Sequence, residues 1–292
     1  MTVVTLVSDP DARLLTPALV AEASRALRAE VVVLSDGEAV ALEVDQAASA
    51  LAPVLADIVG ERRVDVAVTS SGNRRKRVLL CDMDSTIITT ECIDELADLL
   101  GIRAEVAAIT ERTMNGELDF ASSVKARVQL LAGLEEGAID RLLAERIHLM
   151  SGARTLVGTM RAHGARTALV SGGFTRFTAP VAARAGFDEH HANLLEIQDG
   201  RLTGRLVPPL LDADAKLRTL DEITGRLGLG RADALCAGDG ANDIPMIRAA
   251  GLGVGFRPHA KVAKAAPVVI RYGDLTALLF IQGYPRNAFA AG

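Results

Sequence analysis

Five short runs, 78–81, 167–170, 234–237, 252–256 and 268–270, consist wholly of apolar or β-branched residues and stop abruptly at polar clusters or turns. Runs this short, with no polar alternation, suit strands covered on both faces, as in a parallel sheet. Helical patterns at 174–185 and 215–227 lie between them, which predicts an open, Rossmann-like α/β sheet. The first two runs are separated by roughly 85 residues, far more than the dozen or so that a crossover requires. The interval carries helical stripes at 92–100, 104–114, 120–131 and 138–149, so a helical cap is expected as an insertion at about 90–150.

Upstream the pattern differs. Strand signals at 2–7, 30–34, 39–44 and 64–69 alternate with helical ones at 15–27 and 46–58, and Asp36-Gly37 between two apolar runs marks a hairpin. The order βαββαβ predicts a small ferredoxin-like unit with helices on one face of an antiparallel sheet. The expected division is therefore residues 1–72 and 78–292. Charge follows it: residues 1–70 carry −6, residues 71–77 carry +4 and the remainder −3. The basic stretch Arg74 to Arg77 reads as an exposed linker.

Composition narrows the function. A formal charge of −5 argues against a binder that must neutralise many nucleic-acid phosphates. Seven Phe, two Tyr and no Trp leave few platforms for stacking single-stranded bases. Cys81, Cys92 and Cys236 are too few and too scattered for a disulfide framework and fit a reducing cytoplasm. No apolar run reaches the roughly 18 residues of a membrane span. The expectation is a cytoplasmic globular protein with neither nucleic-acid nor membrane partners.

In open α/β sheets ligands bind beyond the carboxyl ends of the strands. There the sequence places Asp82-Met83-Asp84-Ser85-Thr86, Ser171-Gly172-Gly173 and Gly238-Asp239-Gly240-Ala241-Asn242-Asp243. Asp82, Asp84, Asp239 and Asp243 thus converge on one edge. One Asp at such a position commonly caps a helix, but four together repel unless protons or a cation intervene. A hard divalent ion such as Mg²⁺, which takes oxygen ligands and often a substrate phosphate, resolves the crowding. No Gly-x4-Gly-Lys-Ser/Thr loop exists, and no cysteine has an Arg six residues on, so a nucleophile for phosphate chemistry must be something else; a carboxylate can attack phosphorus to give an acyl phosphate. His190-His191 reads as a surface turn rather than a metal site, for want of a partner histidine at helical spacing.

These strand-end clusters, with the lone Lys216, resemble in order all four motifs of the haloacid dehalogenase superfamily. The resemblance runs from about Val78 to the end. Within that superfamily, Glu91, the segment from Met114 to Phe120, the stretch around Arg127 and Ser171-Gly-Gly-Phe174 are similar to the phosphoserine phosphatase family. The resemblance implies Asp82 as nucleophile and Asp84 as acid and then base. It implies Mg²⁺ held by Asp82, the Asp84 carbonyl and Asp239, with Asp243 behind these ligands or reaching the ion through a water and orienting the site. Ser171, Gly172, Lys216 and Asn242 would bind the phosphoryl group, while Glu91, Arg127, Met114 and Phe120 would recognise and cover phosphoserine. Another small phosphomonoester remains the alternative substrate. The first unit resembles ACT domains by element order alone, which implies serine binding or homodimer formation there.

Overall fold

The computed structural model describes residues 1–46, 48–114, 117–211 and 214–291, apart from the side chains of residues 48–50, 52, 114 and 120. The N-terminal segment follows the expected order: β1 (Thr2–Ser8), α1 (Pro17–Leu27), β2 (Glu30–Ser35), β3 (Ala39–Val44), α2 (Ala48–Val59) and β4 (Val64–Ser70). The strands pair antiparallel in the order β2-β3-β1-β4, a ferredoxin-like sheet. Helix α1 begins two residues later than the apolar stripe implies, because Thr16 accepts a hydrogen bond from the Leu19 amide and Pro17 fits the first turn.

One face of this sheet, with Val4, Leu6 and Leu42, packs beneath the two helices through Leu19, Ala23 and Leu51. The other face, with Val3, Val7, Ala39, Ala41 and Ala67, joins the core of the rest of the chain. Burial on both faces explains why β1 and β3 show no clean polar alternation.

A second sheet begins at β5 (Val78–Cys81). Helices α3 (Cys92–Leu100), α4 (Arg103–Met114), α5 (Phe120–Gln129) and α6 (Gly137–Glu145) form the insertion. Then follow α7 (Ala153–Ala162), β6 (Arg166–Phe174), α8 (Thr175–Ala185), β7 (Glu189–Gln198), β8 (Arg201–Val207), α9 (Ala215–Arg226), β9 (Ala234–Gly238), α10 (Ile244–Ala249), β10 (Leu252–Phe256), α11 (Ala260–Ala265), β11 (Val268–Ile270) and α12 (Ala277–Ile281). The strand order is β11-β10-β9-β5-β6-β7-β8, parallel except for β8 against β7. The winding reverses at β5, with β6 on one side and β9 on the other, so the crevice for a ligand opens at their carboxyl ends.

Two sequence expectations need correction here, and one hairpin was not expected. His190 and His191 lie within strand β7, not in a surface turn, and His190 Nδ1 shares a hydrogen bond of 3.0 Å with the Thr178 hydroxyl. The β7–β8 hairpin is too polar at its start to read as a buried run, and it is the parallel pairing with β6 that holds it. Helix α6 stops at Glu145 because the following residues are needed in extended form: Ile88 bridges Leu149, and the Met150 amide donates to the Ile87 carbonyl at 2.8 Å.

The basic stretch is only in part the exposed linker expected: Arg75 and Arg77 are exposed, whereas Arg74 and Lys76 are tied into the fold. Arg74 donates to the Ile281 carbonyl at 2.8 Å and to the Thr5 hydroxyl at 2.9 Å. Lys76 is buried, its ammonium donating to the Asn73 and Ala232 carbonyls at 2.7 and 2.9 Å. Among the described residues, no helix is long and apolar enough to cross a membrane.

Candidate active site

Strand β5 delivers Asp82 to the centre of the crevice. The chain then turns sharply, with Ser85 at a positive φ of 53° and the Ile87 and Ile88 amides both donating to the Met83 carbonyl. This turn separates the two acids. Asp82 accepts from the Met83 amide at 2.8 Å, whereas Asp84 reaches the far wall and accepts from the Ser171 hydroxyl at 3.1 Å and from the Cys92 amide at 2.8 Å. Burial, followed by the neighbouring Asp82 charge, pushes the Asp84 carboxyl up.

From the other side of the switch point, β9 contributes Asp239, and a tight helical turn at Ala241–Asp243 contributes Asp243. Gly238 is required here, since a Cβ on it would lie 2.3 Å from Asp243 Cγ. Lys216, in the first turn of α9, places its ammonium 2.6 Å from Asp82 Oδ1 and 2.5 Å from Asp243 Oδ1. Oxygen atoms of Asp82, Asp239 and Asp243 lie within 4.8 Å of one another, and these side chains are almost completely buried.

Burial and then the Asp82 charge push Asp239 and Asp243 up to about 7. Burial works against the Lys216 charge, but Asp243 and Asp82 together hold it above its ordinary value. One ammonium against three carboxylates leaves the cluster over-negative. An all-oxygen donor set of this kind fits a hard divalent cation.

The wall opposite is β6, where the chain bulges at Ser171-Gly172-Gly173 and the register with β7 shifts between Val170 and Phe174. At the mouth, Glu91 accepts from the Ser85 hydroxyl at 2.6 Å, and loss of solvent and the Asp84 charge push its carboxyl up. Arg127, on α5, is half-buried rather than on a solvated face, and its charge is felt alongside those of Asp94, Glu91 and Asp84. Asn242 is half-buried beside Gly240. Met114 and Phe120 stand at the facing ends of α4 and α5, and their side chains lie outside the described residues.

Two further participants are given no role by the sequence motifs. Thr86 donates to Asp239 Oδ1 at 3.0 Å, and buried Asn193 from β7 donates to the Gly172 carbonyl at 2.8 Å. Thr86 could have been suspected from its place at a strand end. Nothing in the sequence marks Asn193.

The fold and this strand-end acid cluster agree with a family comparison: residues 79–248 match the model of haloacid dehalogenase-like hydrolases. The chain belongs to that family.

Several of its relatives are named as phosphoserine phosphatases. It is 42% identical over 239 residues to a phosphoserine phosphatase of Mycobacterium tuberculosis, aligning 81% of this chain with 58% of that protein. It is 44% identical over 208 residues to the phosphoserine phosphatase of Albidiferax ferrireducens, 70% of this chain and 88% of that one. The crystal structure of a probable phosphoserine phosphatase from Vibrio cholerae superposes with a TM-score of 0.80 at 30% identity, covering 98% of this chain and 88% of that chain. The chain thus spans less than two thirds of the length of its mycobacterial relative.

Proposed function

We propose that this chain hydrolyses O-phosphoserine to serine and phosphate through an aspartyl-phosphate intermediate, with Mg²⁺, as the last step of serine synthesis. The observation that carries the reading is the buried cluster in which Lys216 joins Asp82 to Asp243, with the Asp84–Ser171 pair facing it. The relatives named as phosphoserine phosphatases support the substrate.

In this reading an Asp82 oxygen attacks phosphorus, the bond from phosphorus to the serine oxygen breaks, and Asp84 gives the leaving alkoxide its proton. Raising the Asp84 carboxyl keeps that proton available. Water then attacks the phosphorus, Asp84 takes its proton, and the bond to Asp82 breaks to release phosphate. Lys216, Ser171 and the Gly172 amide offset charge on the phosphoryl oxygens, with Asn242 beside them. Asp82, the Asp84 carbonyl and Asp239 would hold Mg²⁺, with Asp243 orienting the site from behind them or through a water. When bound, the ion supplies positive charge that lets a carboxylate approach a phosphate dianion.

Glu91 meets the substrate ammonium and Arg127 its carboxylate, for which a guanidinium is the better shaped cation. Met114 and Phe120 are assigned to the apolar cover.

Phosphate release from a panel of phosphorylated amino acids and sugars tests this. Phosphoserine should be the preferred substrate, Asp82→Asn should be inactive, and Arg127→Ala should lose the preference. Substantial turnover by Asp82→Asn would remove the mechanism, and unchanged selectivity in Arg127→Ala would remove the substrate.

The N-terminal unit is read as an ACT-like module that binds serine or pairs subunits, on the support of its strand order alone. Because one face of its sheet is buried in the main core, calorimetric titration with serine should use the full chain, and the absence of heat would remove the serine site.

A further inference from the structure

We infer that Asn193 is a positioning residue for phosphoryl transfer: it orients the Ser171 hydroxyl toward Asp84 by clamping the peptide between Gly172 and Gly173. This rests on the reading of Asp84 and Ser171 given above.

Asn193 is 2% exposed, and both ends of its amide are used. Its Nδ2 donates to the Gly172 carbonyl at 2.8 Å, and its Oδ1 accepts from the Leu211 amide at 2.8 Å. Each partner can play only one role, so the orientation of the amide is fixed. Asp has no donor for the carbonyl, and an aliphatic residue would leave both groups unpaired.

The consequence passes through the planar peptide. Carbonyl and N–H of one trans peptide point in opposite directions, so holding the Gly172 carbonyl aims the Gly173 N–H the other way. There it donates to Ser171 Oγ at 2.8 Å. With that acceptor site filled, the hydroxyl gives its one proton to Asp84 Oδ2, 3.1 Å away, and is held where it can turn that proton to a phosphoryl oxygen when substrate enters. Four hydrogen bonds therefore run in file from the Leu211 amide, near the start of α9, to the acid. The space is tight: a Cβ on Gly173 would lie 3.0 Å from Ser171 Oγ and 3.3 Å from Asp84 Oδ2.

Asn193 also explains the bulge in β6. Pairing between β6 and β7 is interrupted between Val170 and Phe174, and Asn193 is the residue opposite Phe174 where pairing resumes. Its side chain supplies the Gly172 carbonyl with the donor that the β7 backbone does not.

The experiment measures kcat and KM for phosphoserine and for p-nitrophenyl phosphate in the wild type, Asn193→Ser, Asn193→Asp and Asn193→Ala, each normalised to folded protein. Misplacing a reacting group by about 1 Å costs up to about a hundredfold, so kcat should fall tenfold to a hundredfold in Asn193→Asp and Asn193→Ala on both substrates. KM for phosphoserine should move less than about threefold, because Glu91 and Arg127 are untouched. Asn193→Ser, which keeps a short donor, should fall between, and the order of kcat should not follow the order of melting temperatures.

A kcat within twofold of the wild type in Asn193→Asp and Asn193→Ala would overturn the proposal. So would failure of all three variants to fold, which would make Asn193 a stability residue. A wild type that turns over p-nitrophenyl phosphate but not phosphoserine would sink only the substrate reading. One inactive on both would sink the two together.

Discussion

A single ammonium, that of Lys216, balances part of the charge of three buried carboxylates, and the remainder must be met by protons or by metal. The pKa directions make this measurable. Asp239 and Asp243 rise from 3.8 to about 7 in the folded chain, through burial and then the charge of Asp82. A carboxyl with a raised folded pKa binds its proton more readily when folded. Its contribution is therefore fully present below the unfolded value and is lost as pH rises through about 7. Metal binding requires the deprotonated form. The stabilisation on adding a fixed concentration of Mg²⁺, read as a gain in melting temperature, should therefore grow between about pH 5 and pH 8, approaching roughly 3 kcal/mol in free energy where that concentration is a hundredfold above Kd. Thermal melts with Mg²⁺ and with a chelator, across that range, check this. A metal-induced shift independent of pH would show that both acids are already ionised without metal.

At the scale of elements, the β7–β8 hairpin links what the sequence left separate. Asn193 fixes the Ser171 loop, and further along the same hairpin the cap is latched: the Gly133 amide donates to the Leu202 carbonyl at 2.8 Å, and the Leu202 amide returns to Leu134 at 2.9 Å. Gly204 makes that approach possible, with a φ of +79° and a position where a Cβ would meet Ala132 Cβ at 2.9 Å and the Gln129 carbonyl at 3.1 Å. Arg127 lies two residues before Gln129. Gly204→Ala should displace the end of α5 and raise KM for phosphoserine several-fold, with less effect on p-nitrophenyl phosphate, which has no carboxylate for Arg127. Steady-state kinetics on the two substrates decides, and equal losses on both would place the damage in the core. This hairpin was not legible in advance because Glu189, His190 and His191 open it with polar side chains. The five buried runs were legible because strands covered on both faces have no polar positions to blur them. The acid cluster followed from the strand-end rule. The end of α6 was overrun because Ile147, Leu149 and Met150 continue an apolar pattern whose actual use is the extended segment that bridges Ile88. Arg74 and Lys76 read as solvated because a charge run in sequence does not reveal backbone carbonyls waiting elsewhere in the chain.

For the whole molecule, the decisive fact is that both faces of the N-terminal sheet carry core residues at β1 and β3, while the edge strand β2 leaves Val32 and Val33 exposed. The sheet's second face shares a core with α12 residues such as Leu278 and Phe280, and Asp65 fastens the edge. The Asp65 carboxylate, 4% exposed, accepts from the Arg271, Tyr272 and Gly273 amides at 2.8, 3.0 and 2.7 Å. Burial pushes that carboxyl up while the three amides pull it down. The fastened loop continues to Asp274, which accepts from the Ser151 hydroxyl at 2.8 Å, just before α7. A shared core implies shared unfolding, so the full chain should melt in one transition seen alike by far-ultraviolet dichroism and by loss of activity. Asp65→Ala leaves three amides without their acceptor, at a cost of about 1–3 kcal/mol for an unsatisfied buried group and more if water does not enter. For a chain of this size that lowers the single midpoint by roughly 5 °C. Asp65→Asn, which keeps one acceptor oxygen, should lose less. Two separated transitions in the wild type, or an unshifted midpoint in Asp65→Ala, would mean that the N-terminal unit folds and opens independently of the catalytic sheet.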